Sequence, residues 1–187
     1  MNDVEEDSLE KKEKLAIKPI KKIEAIIISQ WIYEEPYSFY NMGDEKGIMD
    51  EMLNEPYYLL KNGEKEIIGF FCFGKAAQIP EGKKYGAYVE KDIIDIGLGM
   101  RPDLTGKGRG VDFLLKGLEF AAENFFTTKF RLTVATFNQR AIKVYKKVGF
   151  KEKKIFKIPK NENPRNDIEF MTMELNFNKL LPPESSL

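Results

Sequence analysis

Arg101-Pro-Asp-Leu-Thr-Gly-Lys-Gly-Arg-Gly110 is the stretch on which the reading of this chain turns. The residues before it alternate. Ile94, Ile96, Leu98 and Met100 share one face, and Asp95, Gly97 and Gly99 share the other, which predicts a strand over 92–100. Two glycines on one strand face mark close approach by a ligand or another backbone. Pro102 has no amide to offer a ladder, so the strand should stop there. After the turn, Val111, Leu114, Leu115, Leu118, Ala122 and Phe125 recur at helical spacing. The glycine-rich turn thus opens into a helix start, where free amides and the positive end of the dipole favour phosphate-like anions. Lys107 and Arg109 add positive charge. A tight turn without any ligand would use the same glycines, so the turn alone decides nothing. A P-loop requires Ser or Thr after its Gly-Lys pair, and Gly108 follows Lys107 here. The dinucleotide fingerprint requires G-x-G-x-x-G, and the spacing here is G-x-G-x-G.

The next segment is more specific. Lys129 to Val134 alternates, with Phe130, Leu132 and Val134 on one side. It leads to Asn138-Gln-Arg-Ala-Ile-Lys-Val-Tyr-Lys-Lys-Val-Gly-Phe150. Asn138 is a good N-cap, Ala141, Val144, Tyr145 and Val148 form an inner stripe, and Gly149 is placed to end the helix. The pattern N-x-x-A-x-x-x-Y-x-x-x-G-F resembles the closing motif of the Gcn5-related N-acetyltransferases. Thr105 to Gly110 resembles that family's pyrophosphate loop, Q/R-x-x-G-x-G/A. The two motifs in this order and at this separation are specific, and neither is specific alone. Thr105 departs from the pattern, because it stands where the family has Gln or Arg.

The resemblance implies an α/β fold: a mixed, mostly antiparallel central sheet with helices on both faces. It implies that the strands ending near Met100 and Val134 splay apart to receive the pantetheine arm of acetyl-CoA. Leu98 and Met100 would then lie along the cofactor. Thr105, Gly106, Lys107, Gly108, Arg109 and Gly110 would hold its pyrophosphate, with Lys143 as a further cation and Asn138 on the arm. Gly97 and Gly99 would leave the strand surface open. Tyr145 would donate a proton to the departing thiolate. Asp95, where many relatives carry a base-forming glutamate, would act as base through water, with Glu90 and Asp92 in reserve. The reaction implied is direct attack of a primary amine in a ternary complex. A lysine-like amine, with a reference pKa near 10.4, costs roughly 4 to 5 kcal/mol to deprotonate at pH 7, so some group must take its proton. The acceptor, a small molecule or a peptide, is not legible. A non-catalytic acyl-CoA-binding module of the same fold remains the alternative.

The rest of the chain bounds these readings. Its 187 residues suit one domain, expected over 15–178, with a charged tail at 1–14 and a loose one at 179–187. Thirty basic residues balance 30 acidic ones, so neither nucleic acid nor an acidic membrane is an expected partner. No metal is expected, and histidine is absent, so no histidine can act as base. The one cysteine, Cys72, excludes an intramolecular disulfide and reads as a core residue. No apolar run approaches the roughly 18 residues of a membrane span, and the start of the chain is unlike a secretory signal. These features lead us to expect a cytoplasmic protein. Dimers are common in the resembled family, which leaves a homodimer open, and the oligomeric state is not legible in the sequence. Early helices are predicted over 21–33, with Ile23, Ile26 and Ile27 inward, and over 46–53. A hairpin is predicted around Asn62-Gly63, and a last one over 155–175. Trp31, Tyr33, Tyr37, Phe39 and Tyr40 either line the acceptor site or simply pack.

Overall fold

The computed structural model describes residues 15–42, 45–159 and 167–179. The expected tails lie outside the described residues, apart from Lys179 at the end of a final 3-10 turn. Seven strands form one sheet: β1 (Ala16–Pro19), β2 (Tyr57–Lys61), β3 (Ile67–Phe73), β4 (Ile94–Met100), β5 (Lys129–Ala135), β6 (Lys151–Ile158) and β7 (Ile168–Asn176). Their order is β1-β2-β3-β4-β5-β7-β6. Every pairing is antiparallel except β4 with β5, which is parallel. Among the described residues the α-helices are α1 (Lys22–Ser29), α2 (Glu45–Asn54), α3 (Gly110–Phe125) and α4 (Gln139–Val148). No helix among the described residues is long and apolar enough to cross a membrane.

Strand alternation decides which helix covers which face. On β3, Phe71 and Phe73 join the cluster formed with Phe113, Leu114 and Leu118 of α3 and with Ile142 and Tyr145 of α4. Phe70 points the other way and packs against the α1 and α2 cluster of Ala25, Ile28, Trp31 and Met52. Contact on the α3 side is close. A Cβ added at Gly117 would stand 2.5 Å from the Phe71 ring, so the missing side chain lets α3 settle onto β3.

Two local expectations change. Helix α1 ends at Ser29, and it buries Ala25, Ile28 and Ser29 rather than the three isoleucines. Ile23 is 72% exposed. The small Ala25 and Ser29 allow a close approach that the bulkier residues would not. The turn after β2 is also wider than a two-residue hairpin. Asn62 Oδ1 accepts from the amides of Glu64 and Glu66, and the left-handed position falls on Lys65. This Asx-type turn uses the Asn side chain to complete the bend.

Candidate active site

β4 and β5 are paired at only two steps, Ile94 with Phe130 and Asp95 with Arg131. Beyond them the strands separate while β4 stays paired with β3 through Met100. A cavity of about 520 Å³ follows the opening. Leu98 and Met100 line it from β4, Leu132 and Val134 from β5, and Thr105, Gly106, Gly108, Arg109 and Gly110 at its outer end.

The glycines of the turn have separate jobs. Gly106 and Gly108 adopt positive φ, +75° and +77°, which L side chains rarely adopt. Gly110 instead permits close packing, since a Cβ there would stand 2.8 Å from Val144 of α4. The Thr105 amide closes a turn on the Pro102 carbonyl, and the Phe113 amide opens the α3 ladder on the Arg109 carbonyl. Between them, the amides of Gly106 to Arg109 make no hydrogen bond among the described residues. Unpaired amides in a glycine bend leading into a 16-residue helix form a concavity suited to an anion.

Gly97 and Gly99 both line the cavity, and their missing side chains also make room for β3. A Cβ on Gly97 would lie 2.5 Å from Cys72 Sγ, and one on Gly99 would lie 2.3 Å from the Phe70 ring. Each glycine faces its register partner on β3, and it is that partner's side chain that takes the space.

Asp95 requires a larger correction. It is 3% exposed and does not line the cavity. Arg131 Nε donates to its Oδ1 at 2.6 Å, Arg131 Nη2 to its Oδ2 at 2.8 Å, and Gln78 Nε2 to its Oδ2 at 2.7 Å. A carboxylate held by these donors is not placed to take a proton from an amine. The reserves are engaged as well, Glu90 on Arg131 and Asp92 on Lys129.

Tyr145 does lie at the cavity, carried by α4. Burial pushes its phenol well above the ordinary tyrosine value, so it stays protonated. Its hydroxyl makes no hydrogen bond among the described residues and is thus uncommitted. Asn138 caps α4, accepting from the Ala141 amide at 3.1 Å, and donates to the Tyr40 hydroxyl at 3.2 Å. Tyr33, Tyr37 and Tyr40 line the cavity between α1 and α2. Trp31 and Phe39 do not. Trp31 packs on Phe70, and Phe39 packs among Tyr40, Phe137 and Phe170. The Tyr33 hydroxyl donates to the Met100 carbonyl at 2.9 Å, tying this segment to the end of β4. Burial pushes the Tyr33 phenol up to about 12 and the Cys72 thiol up to about 12, so neither is ionised near neutrality.

Lys107 and Lys143 are exposed and do not line the cavity. Arg140, which sequence reasoning passed over, does line it. Its guanidinium lies over the Tyr37 ring, 4.1 Å from the centroid. Its place two residues after the N-cap was the available signal, because the first turn of α4 faces the glycine bend.

The sequence profile of the Acetyltransferase (GNAT) family matches residues 22–150. The chain belongs to the GNAT acetyltransferases. Solved structures agree at the level of the fold. A GNAT-family acetyltransferase from Bacillus anthracis superposes with a TM-score of 0.63 at 14% identity, covering 88% of this chain and 95% of its own. The dodecameric spermidine N-acetyltransferase of Vibrio cholerae gives 0.62 at 16% identity, covering 91% and 98%. The yncA protein of Salmonella typhimurium, solved with its cofactor acetyl-CoA, gives 0.56 at 13% identity, covering 92% and 99%. No curated protein of known function matches the sequence. For this GNAT chain, then, the parted strands and the glycine bend are the features that bear on what it binds.

Proposed function

We propose that this GNAT protein transfers the acetyl group of acetyl-CoA to a primary amine by direct attack within a ternary complex. The observation that carries the reading is the gap between β4 and β5, which ends at a bend of unpaired amides. Residues fit the cofactor at both ends. The bend and its arginines suit a diphosphate, and the strand edges of Leu98 to Met100 suit the amides of an extended arm. Acetyl-CoA would supply the acyl thioester. Tyr145 would donate its proton to the departing thiolate, a role consistent with a phenol that burial keeps neutral. Cys72, buried and with a raised thiol pKa, is a poor nucleophile, which favours direct transfer over an acyl-cysteine route.

The acceptor side supplies Tyr33, Tyr37, Tyr40, Met42 and Phe70, an aromatic wall suited to an amine with an apolar body. Among the described lining residues the only charged groups are Arg109 and Arg140. With Asp95 committed elsewhere, the amine enters neutral or loses its proton to solvent. Self-association belongs to the same reading, and light scattering tests it directly.

Thiol release from acetyl-CoA, followed across a panel of amines with calorimetry of cofactor binding in parallel, tests the proposal. Turnover of an aromatic or aliphatic primary amine supports it. Cofactor binding with silence across the panel would favour a non-catalytic acyl-CoA-binding module, the reading that the capture of Asp95 keeps open.

A further inference from the structure

Arg140 stands where two cavities meet. It lines the main one, and it also lines a second of about 470 Å³ that shares Tyr33, Tyr37 and Thr105 with the first. Its guanidinium carbon lies over the Tyr37 ring, 4.1 Å from the centroid, and its Nη1 lies 3.8 Å from where a Cβ on Gly106 would stand. The cation is therefore fixed between an aromatic face and the glycine bend. It forms no ion pair among the described residues, although Glu34, Glu35 and Asp103 line the second cavity with it. Asp103 is held by Arg101, and Glu35 accepts from the Ser38 hydroxyl.

Thr105 cannot supply a side chain to the bend, because its hydroxyl donates to the Pro102 carbonyl at 2.7 Å. The bend itself contributes Lys107, which faces solvent, and Arg109, which is exposed at the rim. From this arrangement we propose that Arg140 is the side-chain anchor for the cofactor's diphosphate, taking from α4 the place that Thr105 leaves empty, with Tyr37 as its positioning residue. The inference rests on the acyl-CoA reading above. The geometry suits the role. A guanidinium presents a planar fork that matches phosphate oxygens, and stacking on a ring fixes the fork before the ligand arrives. Burial of the diphosphate against Gly106 would bring its oxygens within reach of the same guanidinium.

Calorimetric titration of the full chain with coenzyme A, and with pantetheine as the probe that lacks phosphate, tests this. Arg140→Gln should weaken coenzyme A binding roughly 10- to 100-fold, the worth of a charge-assisted hydrogen bond or two. It should leave pantetheine binding unchanged and flatten the salt dependence of coenzyme A binding. Arg140→Lys should fall between, Lys147→Gln, an exposed lysine in the last turn of α4, should stay within about 3-fold of wild type, and Tyr37→Leu should weaken coenzyme A in the same direction as Arg140→Gln. Equal binding of coenzyme A by wild type and Arg140→Gln would overturn the proposal. An equal loss of both ligands in Arg140→Gln and Arg140→Lys would overturn it too, by assigning Arg140 to the fold. Wild-type protein that binds no coenzyme A would defeat the cofactor reading itself, and the proposal with it.

Discussion

Asp95 and Arg131 face each other at the last paired step of β4 and β5, with both carboxylate oxygens on one guanidinium. They are 3% and 1% exposed. The Tyr88 ring centroid lies 4.9 Å from the guanidinium, and Glu90 Oε2 accepts from Arg131 Nη1 at 3.0 Å. The pair closes the deep end of the cleft. Asp95→Ala should cost about 3 to 5 kcal/mol of stability by leaving a buried arginine with only the half-exposed Glu90 as counter-charge. Urea denaturation measures this. If the folded fraction of Asp95→Asn turns over amine with an unchanged pH profile, Asp95 is a structural group. A lost acidic limb in that profile would restore it as base.

Tyr145→Phe removes only a hydroxyl that has no hydrogen-bond partner among the described residues. We expect kcat to fall by about 10²-fold, the scale of general acid catalysis, with coenzyme A affinity within about 2-fold of wild type. Steady-state kinetics combined with calorimetry separates the two quantities.

Gly99→Ala distinguishes two uses of a strand glycine. The new methyl would enter the Phe70 ring at 2.3 Å, so overpacking should destabilise the fold by about 1 to 3 kcal/mol. Had Gly99 instead kept the strand open for a ligand, the change would weaken cofactor binding without lowering the melting temperature. Thermal melting with and without coenzyme A reads both effects.

The raised groups set an alkaline limit. Burial lifts the Cys72 thiol and the Tyr33 phenol to about 12, and lifts Tyr40, Tyr57 and Tyr145 in the same direction. In the unfolded chain these groups ionise first, so the stability they contribute is complete below about pH 8.5 to 10 and is lost as pH rises towards their folded values. The melting temperature should therefore be flat through neutrality and fall from about pH 9 upward. Over the neutral range, Cys72 should resist thiol reagents until the protein is unfolded.

What the sequence disclosed followed the strength of its local signals. Asn138, Tyr145 and Gly149 are set by helix geometry, with the cap and the left-handed stop at fixed offsets, so their places could be read directly. Gly106 and Gly108 were legible because positive φ leaves few alternatives. The engagement of Asp95 was not legible because it depends on residue 131, which is close only after the parallel pairing forms. Ile23 and Ile27 were turned the wrong way because α1 is short and apolar on more than one side, so packing chose the face. The position of Arg140 near the start of α4 was visible, but the Tyr37 ring that holds it comes from another segment and meets it only in the fold.

A seven-stranded sheet ordinarily exchanges its amide protons slowest at the middle. Here the middle contains two free borders, because β4 and β5 hold each other for only two steps. Deuterium uptake along β5 beyond Arg131 should alternate, fast where an amide looks into the gap and slow where it meets β7. A guest lying in that gap would act as an eighth strand, and its arrival should be visible as sudden protection at the heart of the sheet.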